Sequence, residues 1–260
     1  MLHTLDSDSS KIIEAVRSTG VVITEAMIMY VEYIVSNMKA IGTWDLCNAV
    51  YGFVGGTADS HKWNWKDLRD VDSAFRLSYG NTVTHSANGI ITDGTVNGFA
   101  ETYTSPSVIL NGNNTHLSCY VKSNNTLGYL IGSIDGKLAL AHRTNGIGVF
   151  QSSSDNISDR ILTTGQSSII GFNIGVKNNL SLFQQRNGIN LAITATNNLG
   201  DNSLSTPTIW IGGAKSIAGQ SNFMAANTFA FSSIGSSFTD TQAEQQNQIV
   251  RNAQNILNRA

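Results

Sequence analysis

Residues 53–70 read FVGGTADSHKWNWKDLRD, gathering a glycine pair, a histidine, two tryptophans and six charged side chains within 18 residues. Such residues serve a phosphate loop, an active site, a platform for sugars, or a junction between two parts of a fold. A phosphate loop needs G-x-x-x-x-G-K-[ST], which the residues after Gly55 do not supply. The chain also lacks G-x-G-x-x-G before a helix, a G-x-S-x-G elbow and H-E-x-x-H. The five histidines (His3, His61, His85, His116 and His142) are scattered, and Cys47 and Cys119 lie far apart with no zinc-type spacing. No catalytic, cofactor-binding or metal-ligating set is therefore assigned from spacing.

Carboxylates and aromatics remain. Retaining glycoside hydrolysis needs two carboxyl groups about 5 Å apart. A tight Glu-x-Asp-x-Glu run on one strand would be its signature. The chain has five glutamates, and only Glu101 falls among its strand-like segments. Asp70-x-Asp72 reads as a solvated turn, so the expectation is that the protein is not an enzyme. Trp63 and Trp65, two apart, share one side of an extended backbone. Two indoles there either form a stacking platform for sugar rings or close one end of a core. Trp210, in PTIWIGG, lies opposite Ile209 and Ile211, so an apolar Ile face leaves it on the outer side. Trp63, Trp65 and Trp210 are the candidate carbohydrate-binding residues.

These side chains need elements to position them. Ser9 or Ser10 can cap a short helix through Val16, with Gly20 ending it. Thr24 stands as an N-cap with Glu25 in the first turn. Met27, Ile28, Val31, Ile34, Val35 and Met38 then mark one face of a helix over 24–40, which Met29, Tyr30 and Tyr33 widen. A helix so apolar is covered on most of its girth, by its own domain or by another subunit. Met27, Tyr30, Tyr33 and Ile34 are the candidate assembly residues. From Val50 to about Ser233, short β-branched and aromatic runs alternate with polar residues. Asn88-Gly89, Asp93-Gly94, Asn97-Gly98, Asn111-Gly112, Asp135-Gly136, Asn145-Gly146 and Asn187-Gly188 punctuate them. The spacing predicts strands at 73–79, 98–104, 116–122, 127–133, 137–143, 146–151, 167–175, 179–186, 189–194, 207–213 and 227–233. That pattern, without intervening helices, reads as a sandwich or barrel. Thr239 and Gln242 have capping-box spacing and open a helix over 239–259. The expected division is a helical segment at 1–45 and a β-domain at 46–260.

Composition narrows the setting. Charged residues are 13% of the 260, the net charge is −2 and the sequence pI is about 6.2. No basic surplus is present to grip nucleic acid. The apolar run at 21–35 is short for a membrane span and carries Glu25 and Glu32. The N-terminus has no cationic segment leading into an apolar run, so no signal peptide is expected and synthesis in a cytoplasm is.

Taken together, Gly42–Trp44, 53–58, the SHKWN of 60–64, the THLSCYVKSN of 115–124 and the IGSSFTDTQ of 234–242 resemble a region common in virion proteins of tailed bacteriophages. The resemblance covers roughly 20–260. It implies a mainly β, concanavalin A-like jelly-roll β-sandwich with flanking N- and C-terminal helices. It also implies a non-enzymatic virion structural protein, such as a capsid decoration, head fibre or tail component, made in the bacterial host cytoplasm. Its partners would be other virion proteins and copies of itself, a trimer being one symmetric form. The alternative is a host-adhesion protein of the same fold that binds a surface glycan, with calcium as the cofactor such a site could use. A glycan-cleaving enzyme is the third reading. The family's Tyr-Pro is Tyr51-Gly52 here, which reads as a less rigid turn. On the resemblance, 53–58 is a strand, and 53–70 carries the chain from helix to sandwich with His61 and the tryptophans sealing the junction.

Overall fold

A computed structural model of the chain describes residues 4–110, 114–123, 128–133, 138–143, 147–152, 160–163, 168–178, 181–186, 189–195, 207–215 and 224–259. Helix α1 (Ser7–Ser18) is capped by Asp6, whose carboxylate accepts the Asp8 amide, rather than by Ser9 or Ser10. Asp6 wins because an ionised oxygen at the N-cap meets both the unpaired amides and the positive end of the helix. Thr24 caps α2 (Glu25–Ala40), its hydroxyl accepting the Met27 amide. Strand β1 (Cys47–Tyr51) follows, then the short turn α3 (Ala58–His61) with its capping box of Thr57 and Ser60.

The strand implied for 53–58 is not there. Phe53 (φ 46°), Gly55 (φ 99°) and Gly56 (φ 78°) take left-handed backbone, which breaks a strand ladder, so the strand stands earlier, at β1. The expected strand at 73–79 contracts to a 3₁₀ turn at Asp72–Ala74 and β2 (Ser78–Tyr79). The edge hairpin of β3 (Thr84–Ser86) and β4 (Gly89–Ile91) turns on Ala87-Asn88. β5 (Ala100–Glu101), α4 (Pro106–Ile109), β6 (Asn114–Val121), β7 (Gly128–Ser133), β8 (Leu138–Arg143) and β9 (Ile147–Ser152) come next. Then come β10 (Arg160–Thr163), β11 (Gly171–Asn178), β12 (Ser181–Arg186), β13 (Ile189–Ala195), β14 (Trp210–Ile211), β15 (Thr228–Gly235) and α5 (Asp240–Ile256). The glycine turns expected at 111–112, 135–136, 145–146 and 187–188 lie outside the described residues.

Among the described residues the strands form two antiparallel sheets. The first runs β13-β12-β11-β6-β15-β4-β3, with β1 also on β15, and the second runs β10-β9-β8-β7-β14-β5-β2. Period-two alternation assigns the faces. Leu117, Cys119, Val121, Phe229 and Ile234 of the first sheet meet Leu138, Leu140, Phe150, Ile209 and Ile211 of the second in one apolar core. The other face of the first sheet presents Tyr120, Phe172, Ile174, Val176 and Phe231, and α1, α2 and α5 cover it with Ile12, Tyr30, Ile34, Val35, Ile249 and Val250. The molecule is a mainly β sandwich with a layer of helices on one side.

Candidate functional site

The residues of 53–70 separate into two groups. Trp63 and Trp65 are 8% and 4% exposed and join the helix-side core. Trp65 meets the Tyr30 ring edge-on at 6.1 Å, and the Lys62 ammonium lies 4.9 Å from the Trp63 ring. Neither indole offers an open face, so neither forms the stacking platform that one reading of their spacing allows. The reason is the three-layer arrangement: the helices need apolar cover where the chain crosses from α2 into the sheet. An edge of Trp65 does reach a cleft of about 240 Å³ shared with Asp8, Lys11, Lys66, Asp67 and Leu68. Its charges are already matched, Asp8 by Lys39 (2.8 Å) and Lys11 (3.4 Å), and Asp67 by Arg69.

His61 belongs to the second group. Its Nε2 accepts the Gly56 amide (3.1 Å) and its Nδ1 faces His85 Nδ1 (3.1 Å). Burial, then the neighbouring His85 and Arg259, push the His61 pKa down to about 2. Arg259 is itself buried. It donates to the carbonyls of Ala87 and Phe53 and lies over the Tyr30 ring at 5.6 Å.

The candidate assembly residues do not share one surface. Tyr30 and Ile34 are fully buried, because α5 and the first sheet cover that face of α2. The Tyr30 hydroxyl donates to the Gly52 carbonyl (3.1 Å) and accepts from Gln254 Nε2 (3.1 Å). They are internal packing residues, not assembly contacts. Met27 is half-buried, and Tyr33 is half-buried with its hydroxyl accepting from Asn252 Nδ2 (3.1 Å). The outward stripe is instead Leu5, Ile28, Met29, Tyr33 and Ile256, lining an open groove of about 420 Å³ in which Met29 is 52% exposed.

Trp210 lies on the outer side of the second sheet, opposite Ile209 and Ile211, yet it is only 5% exposed. Phe99 covers it in a flat stack, with centroids 3.7 Å apart and planes at 4°. Phe99 is half-buried. Beside them Glu101 accepts from Thr208 Oγ1 (2.5 Å) and Lys215 Nζ (2.7 Å), and Lys215 lies 5.5 Å from the Trp210 ring centre. Burial tends to raise the Glu101 pKa, but the bonds from Lys215 and Thr208 outweigh it and hold the carboxylate below its usual range. The pairing β2–β5–β14–β7 sets this group: Trp210 pairs with Glu101 on one side and Gly132 on the other. Phe99 and Glu101, two apart, share a sheet face, and that spacing was readable. Their meeting with Trp210 and Lys215 depends on strand order, which was not.

A serine–histidine pair also occurs. His116 Nε2 is 3.0 Å from Ser233 Oγ, and its Nδ1 is 2.6 Å from the Ser236 carbonyl. The carbonyl fixes the proton on Nδ1, so Nε2 accepts from the serine hydroxyl. That is the hydrogen-bond order of a nucleophile and its base. Both residues are fully buried, and His116 stacks on Phe238 at 4.1 Å, so no substrate reaches them. The pair is a structural tie between β6 and β15. Among the described residues no three of His, Cys, Asp and Glu gather to hold a metal. No described helix is long and apolar enough to cross a membrane.

No family model matches the sequence, and no curated protein matches it. Solved structures do resemble the fold. A Trypanosoma rangeli sialidase in complex with sialic acid superposes with a TM-score of 0.53 at 12% identity, over 87% of this chain and 39% of the sialidase. The same enzyme with 2,3-difluorosialic acid gives 0.54 at 10% identity, again over 87% and 39%. Domain 4 of an extracellular arabinanase from Geobacillus stearothermophilus, in complex with arabinotriose, gives 0.49 at 14%, over 78% of this chain and 98% of that domain. The chain thus spans about two fifths of the sialidases it matches. At these identities the likeness is one of fold, and it agrees with the strand order: a two-sheet, jelly-roll-type β-sandwich with helices on one side.

Proposed function

We propose that the protein is a non-catalytic glycan-binding module that works at the outer face of the second sheet. The observation that carries this reading is the Phe99–Trp210 stack bordered by Glu101 and Lys215. A sugar presents an apolar C–H face and a rim of hydroxyls. A partly exposed ring backed flat by a second ring suits the first, and a fixed carboxylate–ammonium pair suits the second. Trp210 then acts as the support beneath Phe99 rather than as the contact. Glu101 is tied by a lysine and a threonine, which suits it to holding a ligand hydroxyl rather than to transferring a proton. The sialidases whose fold it shares are seen with sialic acid and a derivative, which makes sugars the first ligands to test.

The test is labelled protein on host cells before and after periodate oxidation of their surface glycans, with Phe99→Ala alongside. Saturable binding that oxidation removes and Phe99→Ala weakens about tenfold, the worth of one aromatic stack, is the expected result. Binding that survives oxidation overturns the reading. A second reading, a virion structural subunit acting through protein contacts, draws on the apolar groove of Leu5, Ile28, Met29, Tyr33 and Ile256. An intact protein that binds no cells favours it.

A further inference from the structure

The β3–β4 hairpin sits at the edge of the first sheet, joined to β15 by Ile90 opposite Phe229 and Ile91 opposite Thr228, with Thr92 just beyond bonded to Asn227. Three contacts fasten its other side to 53–61. The Gly56 backbone lies so close to Ser86 and Ala87 that a side chain at 56 would sit 3.2 Å from the Ala87 nitrogen. Arg259 spans the same gap, donating to Ala87 on the hairpin and to Phe53 on the facing segment. The third contact is His61 to His85.

The protons of that pair follow from its neighbours. The Gly56 amide occupies His61 Nε2, so neutral His61 carries its proton on Nδ1 and donates it to His85 Nδ1. His85 then carries its own proton on Nε2. A second proton on His85 can only go to Nδ1, which turns donor–acceptor into donor–donor at 3.1 Å. His61 cannot adapt by changing tautomer, because Nε2 is already engaged.

We propose that the His61–His85 pair is an acid-sensitive latch that holds the edge hairpin on 53–61 and releases it when His85 gains a proton. The surroundings favour release over tolerance of the charge. From the C-terminal segment Arg259 adds a buried positive charge. From β2 the Tyr79 ring meets His85 edge-on at 4.4 Å, and burial holds its phenol neutral. Phe53 packs on His61 at 5.7 Å. On the facing segment Asp59 is mostly exposed and Lys62 lies 3.7 Å from it, so little negative charge is left for an imidazolium. The hairpin's turn is held by Lys122, which donates to Asn88, and the hairpin carries no other ionisable side chain. His85 is half-buried, so solvent protons reach it, and burial lowers its pKa as it does that of His61.

Hydrogen exchange on the full chain between pH 7 and 4.5, corrected for intrinsic rates, tests this. The expected result is faster exchange at pH 5 in peptides spanning 53–62 and 82–93, by at least tenfold more than any change in β6 and β11. His85→Asn offers an amide oxygen to His61 without titrating, and it should abolish the step. Constant hairpin protection down to pH 4.5, a loss no larger than that of β6 and β11, or an unchanged step in His85→Asn would each overturn the latch.

Discussion

Gly52 shows how a residue can be read correctly as a type and wrongly as a role. Its place after Tyr51, read from the sequence, suggests a looser turn. In the fold the missing side chain is a packing feature. A Cβ at 52 would stand 2.0 Å from Cη2 and Cζ2 of Trp65, and the Tyr30 ring meets that indole edge-on while its hydroxyl bonds the Gly52 carbonyl. Gly52→Ala should therefore cost about 1–3 kcal/mol, the usual cost of overpacking a core, read as a lower urea midpoint. Trp65→Phe removes the clashing atoms, so the double variant should lose less than the two single losses combined, by at least about 0.5 kcal/mol. Strictly additive losses would mean that the two positions do not touch. Nothing in the sequence pairs Gly52 with Trp65, since the contact exists only once β1 and 63–65 are side by side, where the Trp65 amide bonds the Val50 carbonyl (2.8 Å).

At the scale of elements, what was legible is what is local. The caps at Thr24 and Thr239 each rest on a side chain reaching an amide three residues on, and both form. Long strands with alternating residues, such as β6 to β9, stand close to where the pattern places them. The segments 98–104 and 207–213 keep only two strand residues each, β5 and β14, beyond which Thr102 and Thr104 bond Ile209 singly, because their ladders depend on neighbours far along the chain. At 84–91 the Asn88-Gly89 turn was read but its two strands were not, since three residues on each side carry too little periodicity. Nor can an apolar helix face say what covers it: Tyr30 and Ile34 look the same whether α5 or another subunit does so. The cap that opens α5 has a longer reach than its spacing reveals. Thr239 Oγ1 accepts the Gln242 amide (3.1 Å), Gln242 Oε1 accepts the Thr239 amide (3.0 Å), and Gln242 Nε2 donates to the Ile41 carbonyl at the end of α2 (3.2 Å). Thr239→Ala should cost about 1 kcal/mol, and Gln242→Ala should cost at least as much because it also frees the Ile41 carbonyl. Thermal unfolding of both variants checks this; a Gln242→Ala protein as stable as wild type would show that the tie to α2 contributes nothing.

For the whole molecule, burying histidines between layers makes stability depend on pH in a definite direction. His116 lies under Phe238 with both ring nitrogens engaged, and burial takes its pKa down from 6.5 to about 4, against the opposing bond to Ser236. His61 is lower still, at about 2. In the unfolded chain both titrate near 6.5. Below that value the unfolded state binds protons that the folded state refuses, so stability is fully present above about pH 7 and falls as the pH drops. The carboxylates that gain partners, such as Asp6 and Asp8 on Lys39, have lowered values too, but an ordinary aspartate titrates near 4, so their contribution survives until the pH nears that range. Between pH 7 and 5 the histidines alone therefore set the slope. For His116 the loss at pH 5 amounts to about 2 kcal/mol, one and a half pH units below the unfolded value. Urea midpoints measured at pH 7 and pH 5 should fall accordingly, and His116→Asn, which keeps polar atoms beside Ser233 and Ser236 but cannot titrate, should flatten part of the slope. Equal wild-type midpoints at the two pH values would mean that the folded protein accepts the proton on His116 as well as on His61. The Ser233–His116–Ser236 tie would then be open to solvent rather than sealed between the first sheet and Phe238.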